Sequence, residues 1–512
     1  MIEENKSSMK NSVRRLVIAG IGVLIQIIWV VVLVMRLNQY SQIITLLTAA
    51  IELVLVLAVY SMDTNAAFKL PWIILITVAP IVGICVFFLF GRSGATKKVR
   101  TRYRKIDQQL FAYLNQDEQI IEELSKKDER LANDFKYLWK CASSPVYKNT
   151  DVKYYGDTCD AMAAQLEDMM QAKQFIFLEY HAIEMAESFQ ALRKVLMAKA
   201  REGVEIRILY DDAGCIGFLN PRFIKYMESM GIQCRVFNPI MPVLNIFMNN
   251  RDHRKITVID GRVAYTGGYN LADEYFNITH PYGQWKDSGI RFEGDAVQTA
   301  TILFLEMWNA LKEQDVDIEK YLPVYPYKAK EQGFFALYGD SPLDKEPAGE
   351  NVYMNLLRHA KKYIYFTTPY LILSDEMTRE LTGAAKRGVD VRIITPGIPD
   401  KKTIFQVTKS YYPQLLKHGV KIYEYTPGFM HEKQCICDGE IVVVGTINLD
   451  FRSLYLHFEN AALFCGYEAV SHVKEDFDAL FPICKDMSKE PSERTRRLRL
   501  SQLILRLFSP LM

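Results

Sequence analysis

The feature that most constrains this chain is an internal duplication that begins near residue 150. "AKQFIFLEYHAI" (Ala172 to Ile183) corresponds to "AKKYIYFTTPYLI" (Ala360 to Ile372). An amphipathic helical stretch follows in each copy and ends in "REGVEIRIL" from Arg201 or "KRGVDVRII" from Lys386. Gly203 and Gly388 stand where a helix C-cap glycine belongs, just before a buried strand. "GIQCRVF" from Gly231 and "GVKIYEY" from Gly419 continue the match. Each copy closes on a motif-bearing segment, "HRKITVIDGRVAYTGGYN" and "HEKQCICDGEIVVVGTIN". A fixed strand and helix alternation repeated once predicts an α/β fold of two pseudo-symmetric halves, each a mostly parallel or mixed sheet flanked by helices.

The closing segments carry the chemistry. His253, Lys255 and Asp260 form H-x-K-x4-D, and His431, Lys433 and Asp438 form it again. With eight histidines in the chain, two unrelated copies would arise roughly once in several thousand such sequences. Residues two apart on a strand share a face, so each histidine and lysine is expected to point together. A turn at Asp260-Gly261 and at Asp438-Gly439 then sends back a return strand that brings Asn270 and Asn448 to the same end. Two lysines and two carboxamides around one point suit an anion, and phosphate fits best. A neutral imidazole can attack phosphorus while the opposite one protonates the leaving oxygen. The lysines neutralise the developing charge, so no metal and no cofactor is expected. The catalytic set is therefore His253, Lys255, Asp260, His431, Lys433 and Asp438, with the two aspartates placed structurally at turns.

Ahead of the repeat the chain is apolar. Leu16–Val34, Ile43–Tyr60 and Trp72–Phe90 are each about long enough to cross a ~30 Å hydrocarbon layer. The second is interrupted by Glu52, and the third carries Pro80 and Gly83. The first is too long for the core of a signal peptide and is soon followed by another apolar stretch. Basic clusters precede the first segment (Lys6 to Arg15) and follow the third (Arg92 to Lys105), which favours a cytoplasmic catalytic domain. The expected organisation is membrane helices over 1–92, a helical juxtamembrane connector over 93–145, a first half over 146–322, a linker over 323–350, a second half over 351–486 and a basic amphipathic helix over 487–512. That last helix sets Arg494, Arg496, Arg497, Arg499 and Arg506 among Leu, Ile and Phe, a pattern suited to anionic headgroups. The chain is thus expected to be a multi-pass protein of the cell membrane.

Net charge is only +2, which argues against a surface built to grip nucleic acid. The nine cysteines have no disulfide-like rhythm, and Cys435 and Cys437 lie in an apolar run that reads as a buried strand.

The paired motifs resemble those of the phospholipase D superfamily. "KLPWIILITVAPIVGICVFFLFGR" (from Lys69), "RDHRKITVIDGRVAYTGGYNLADEY" (from Arg251), "QWKDSGIRFEGDAV" (from Gln284) and "GTINLDFRSLYLHFEN" (from Gly445) resemble the bacterial cardiolipin synthases within it. The resemblance implies a two-step transfer of a phosphatidyl group between phosphatidylglycerols, with His253 as nucleophile and His431 as general acid, then base. It also implies that Glu459 orients His253 and that Asp287 orients His431. Many relatives carry a histidine where this chain has Gly289, so that substrate contact is missing here. The same motifs would serve hydrolysis, transfer to another alcohol, or a nuclease; a membrane scaffold would need neither histidine.

Overall fold

The structure, a computed structural model, describes residues 42–88, 97–219, 222–240, 249–312, 314–490 and 498–511, with scattered positions between 21 and 36. Most of the first expected span, all of 491–497 and the cluster from Arg92 to Thr96 lie outside the described residues.

The duplication is a duplication of topology. In the first half the strands are β1 (Thr150–Tyr155), β2 (Phe175–Tyr180), β3 (Glu205–Asp211), β4 (Gln233–Phe237), β5 (Arg251–Asp252), β6 (Lys255–Ile259), β7 (Val263–Gly267), β8 (Gln284–Lys286) and β9 (Gly289–Gly294). In the second they are β10 (Phe334–Asp340), β11 (Tyr363–Thr367), β12 (Asp390–Pro396), β13 (Lys421–Tyr425), β14 (Gly428–Met430), β15 (Gln434–Cys437), β16 (Ile441–Gly445), β17 (His457–Cys465) and β18 (Cys484–Asp486). The first sheet has the order β1-β9-β7-β6-β2-β3-β4 and the second β10-β17-β16-β15-β11-β12-β13-β18. Strand for strand the orders match, with β18 added at the second sheet's edge.

Along the two strand orders just given only β2-β3-β4 and β11-β12-β13 run parallel; the other neighbours in those orders are antiparallel. Of the mostly parallel or mixed sheets expected, the mixed form is the one found. The reason is local: the two-residue turns at Asp260-Gly261 and Asp438-Gly439, all with positive φ, are hairpin turns, and a hairpin makes its strands antiparallel. The parallel portions follow the helix–glycine–strand reading. Gly203 (φ +87) and Gly388 (φ +93) end the helices Glu187–Arg201 and Asp375–Lys386, and Val204 and Val389 donate back to Lys199 and Ala384 carbonyls at 3.1 and 3.2 Å.

The halves share one interior. The helix Val297–Leu311 is buried on nearly every face, and one apolar cluster joins Ile256, Phe292, Phe304, Phe335, Val444 and Phe464. Between 97 and 142 the chain is mostly helical and part of this core: Tyr103 of the helix Lys97–Leu110 stacks on Phe458 at 5.3 Å between ring centroids. The expected linker, 323–350, holds β10, the edge strand that pairs with β17.

Among the described residues no helix is long and apolar enough to cross a membrane, which corrects the second and third expected spans. The second becomes the helix Gln42–Tyr60 with Glu52 near its middle. The third breaks at Ala79, ahead of Pro80, into Ala66–Val78 and Pro80–Val86. Trp72 and Phe87 then meet at 5.5 Å, so the chain folds back instead of continuing. A Cβ at Gly83 would lie 2.5 Å from the Ile76 backbone, so glycine is what permits that close return.

The C-terminal helix Leu500–Phe508 docks on Lys402–Lys417: Gln502 donates to the Gln406 carbonyl at 3.5 Å, and the Arg506 guanidinium covers the Tyr411 ring at 4.0 Å. Leu500, Leu503, Ile504 and Phe508 face outward. The nine cysteines are free, and Cys435 and Cys437 are buried on β15.

Candidate active site

Two short parallel ladders decide the geometry. β5 pairs with β17, setting Arg251 opposite His457 and Asp252 opposite Phe458. One residue further, His253 comes beside Glu459. β14 pairs with β8, setting Met430 opposite Lys286, and one residue further His431 comes beside Asp287. The His253 amide donates to the Phe458 carbonyl at 2.9 Å and the His431 amide to that of Lys286 at 2.8 Å. Each ladder takes one strand from each half, so every histidine meets a carboxylate of the opposite half.

The rings are held alike. His253 Nδ1 donates to Glu459 Oε2 at 2.8 Å, and His431 Nδ1 donates to Asp287 Oδ2 at 2.5 Å. A carboxylate on Nδ1 leaves Nε2 with its lone pair available for chemistry. Glu459 also accepts from Thr446 Oγ1 at 2.5 Å and from Ser453 Oγ at 2.7 Å, which fixes it in turn. The four residues are buried.

Both H-x-K segments lie at a break between a ladder strand and a main strand, since β6 begins at Lys255 and β15 only at Gln434. The expectation that histidine and lysine share one continuous strand is corrected here. The lysines instead curl back: Lys255 Nζ donates to the His253 carbonyl at 2.6 Å, and Lys433 Nζ donates to the His431 carbonyl and lies 2.8 Å from His431 Nδ1.

Burial sets the protonation states. It holds His253 well below the usual imidazole range, helped by the charges of Lys255, His181, Lys433 and His431. It takes His431 down to about 3, helped by Lys433 and opposed by Asp287. The ammonium groups are shifted the same way, Lys255 to about 8 and Lys433 to about 7, because a buried cation loses its hydration. Lys433 and His431 lower His253, and Lys255 lowers His431 and Lys433, so the two motifs lie close enough to act on one another.

Asp260 and Asp438, placed in the catalytic set by sequence, lie at the far end of the strands. Asp260 accepts backbone N–H groups of Lys173, Gln174 and Phe175 at 2.7, 2.7 and 2.9 Å. Asp438 does the same for Lys361, Lys362 and Tyr363 at 2.8, 2.7 and 2.8 Å. Each ties the hairpin turn to the start of the neighbouring strand. Asn270 is also committed: Oδ1 accepts from Ala182 N at 3.1 Å and Nδ2 donates to Tyr275 OH at 2.8 Å. Asn448 is buried, and its Oδ1 has no partner among the described residues. At Gly289 a Cβ would lie 2.7 Å from the buried Tyr269 ring, so glycine is what the packing there admits.

Sequence reasoning missed the walls of the site. The His181 and His457 rings lie 5.0 and 5.6 Å from that of His253, while Tyr275, Trp285 and Phe429 surround His431 at 5.2, 5.1 and 5.8 Å. His181 directly follows β2, and its counterpart in the second copy is Pro369; that difference between copies was the available signal. Among the described residues His253, His457 and Glu459 have the spacing to ligate a metal. Both Glu459 oxygens already accept from protein donors.

A family model described as "Cardiolipin synthase, PLD-like domain" matches residues 166–308 and 353–481, one stretch in each half. The chain belongs to that family. A cardiolipin synthase of Halalkalibacterium halodurans is 32% identical over 86% of this chain and 87% of its own length. A "cardiolipin synthase 2" of Bacillus anthracis is 31% identical over 86% of each. An uncharacterized protein of Streptococcus mutans is 39% identical over 90% of this chain and 99% of its own. Among solved structures, a phosphatidylserine synthase of Haemophilus influenzae shares the fold with a TM-score of 0.54 over 70% of this chain and 93% of that one, at 14% identity.

Proposed function

We propose that the chain is a cardiolipin synthase that transfers a phosphatidyl group from one phosphatidylglycerol to a second, releasing glycerol. The observation that carries this reading is the pair of crossed ladders, which give one site two neutral imidazoles, each held at Nδ1 by a carboxylate of the other half.

His253 Nε2 attacks the phosphorus of the first lipid, a P–N bond forms and the bond to the glycerol oxygen breaks. His431 gives that oxygen its proton. Alone, His431 holds a proton poorly; the phosphate anion beside it raises its affinity for one. Lys255 and Lys433 take the charge that develops on the phosphoryl oxygens. In the second step the headgroup hydroxyl of another phosphatidylglycerol loses its proton to His431, its oxygen attacks phosphorus and the P–N bond breaks. Glu459 and Asp287 act through the histidines, as positioning residues that fix tautomer and orientation. Asp260 and Asp438 hold strands, and Asn270 acts through Tyr275.

Membrane attachment belongs to the same proposal. Leu46, Leu47, Leu53, Val54, Leu57 and Val78 of the N-terminal helices are exposed, and so is the apolar face of the C-terminal helix. Exposed apolar surface of this extent is stable against lipid. We place the catalytic halves on the cytoplasmic side, from the basic clusters that flank the apolar region.

Purified full-length protein given phosphatidylglycerol alone is expected to yield cardiolipin and glycerol, and His253→Ala to lose at least about 10³-fold in rate. Phosphatidic acid as the main product would make the protein a hydrolase instead.

A further inference from the structure

A cavity of about 750 Å³ lies between the N-terminal helices and the second half, away from the paired histidines. Its walls are of two kinds. Phe68, Trp72 and Leu454 supply apolar surface, while Lys69, Arg100 and Asn250 bring polar groups. Two of those groups lack partners among the described residues: Arg100 Nε, a donor, and Asn250 Oδ1, an acceptor on a residue only 3% exposed. A buried donor and a buried acceptor left open on one cavity call for a ligand that offers both an anion and a hydroxyl. Three carboxylates on the wall are each engaged by the protein: Ser374 and Tyr455 hydroxyls donate to the two Glu350 oxygens at 2.5 Å each, Tyr137 OH and Asn351 Nδ2 donate to Glu346 Oε1 at 2.7 and 2.8 Å, and Lys345 Nζ lies 3.9 Å from Asp63 Oδ2.

We propose that this cavity is a loading site for an anionic glycerophospholipid, with the phosphate on Arg100 and Lys69, a headgroup hydroxyl on Asn250 and the upper acyl chain on Phe68 and Trp72. The proposal rests on the reading of the protein as a phosphatidylglycerol transferase and names where the lipid waits. Two features of the fold give the site its direction. The apolar wall belongs to the helix Ala66–Val78, whose Leu70, Ile74 and Val78 are exposed, so the cavity adjoins the surface that would meet lipid. Asn250 and Leu456, on its floor, immediately precede β5 and β17, the ladder that sets His253 against Glu459. Only Arg251 and Asp252 separate Asn250 from His253 along the chain. A volume of this size is in the ~300–1,000 Å³ range of ligand sites, enough for a headgroup and the start of its chains.

The test uses full-length protein in detergent with a photoactivatable phosphatidylglycerol that carries a diazirine near the glycerol backbone. Labelled peptides are read by mass spectrometry. His253→Ala is used so that turnover does not consume the probe. Label is expected on the segments containing Phe68–Trp72 and Leu454–Leu456, competed by phosphatidylglycerol and at least about fivefold weaker in Arg100→Gln and in Lys69→Gln. Lys69 is partly exposed and its Nζ donates to the Tyr60 carbonyl at 3.1 Å, so melting temperatures check that both variants keep the fold. Label confined to other segments, or undiminished in Lys69→Gln, overturns the proposal. Equal competition by phosphatidylcholine overturns the headgroup assignment. Competition by millimolar glycerol phosphate as strong as by the lipid overturns the lipid in favour of a free anion. Wild-type protein that makes cardiolipin but leaves the cavity unlabelled sinks this inference alone. Protein that labels there but converts phosphatidylglycerol only to phosphatidic acid sinks the transferase reading instead.

Discussion

At the scale of single residues, the site is a problem in keeping charges alive without water. Four ionisable side chains that would be cationic or half-cationic in solution are packed together, and burial pushes all four toward neutrality. For the histidines that is useful, because only a neutral imidazole attacks phosphorus. For the lysines it sets a limit. Their charged forms are intact below the depressed values and vanish as pH rises through about 7 for Lys433 and about 8 for Lys255. An anionic substrate therefore meets a less positive site on the alkaline side. KM for phosphatidylglycerol is expected to rise severalfold between pH 7 and 9, with kcat changing less because the bound phosphate restores the lysine protons. On the acid side free His431 gains a proton only toward about 3, so kcat/KM, which needs that proton on the general acid, should rise as pH falls from 7 to 5.5. A pH profile in nonionic detergent reads both limbs; a steep acid loss, or flat alkaline behaviour, contradicts this assignment.

The decisive elements are two of the smallest. β5 and β14 have only two and three residues, yet each carries a histidine to its carboxylate. Their pairing depends on close backbone approach, since a Cβ on Gly428 would sit 2.2 Å from the Gln284 carbonyl. Gly428→Val is expected to part β14 from β8 and pull His431 from Asp287 while both remain present in the chain. The loss in kcat should match that of Asp287→Asn, about 10²-fold or more, and the double variant should be little worse than either single one. Circular dichroism would show the sheets retained. Additive losses would mean that the ladder does something other than hold this pair.

For the whole molecule, the question is how a site built for lipid meets lipid. The apolar surfaces of the N-terminal helices and of Leu500–Phe508 offer an answer that needs no described helix to span. Leu503→Glu together with Ile504→Glu changes only exposed positions. It should lower flotation with phosphatidylglycerol vesicles by at least about threefold while the melting temperature stays within ~2 °C, because exposed substitutions cost little stability. Unchanged flotation would remove this helix from the attachment surface.

How much of this could be read from residues alone follows from what each pattern encodes. The duplication, the H-x-K-x4-D pairs, the D-G turns and the C-cap glycines are local or periodic, so they are legible in sequence; Asp260 and Asp438 could be placed at turns because Asp-Gly adopts positive φ at little cost. The roles of Glu459 and Asp287 came only through resemblance. They lie 206 and 144 residues from their histidines, and no local pattern encodes a pairing across halves. Hydropathy also reads a run of apolar residues without seeing where it bends: Pro80 made a break possible, but only packing of Phe87 on Trp72 made it a hairpin. Spacing and periodicity encode two like halves, a histidine and lysine at the same place in each, and an apolar N-terminal region. That each half completes the other's site emerges from the folded arrangement alone, because strand register between distant segments is set by packing and backbone pairing and leaves no trace in spacing.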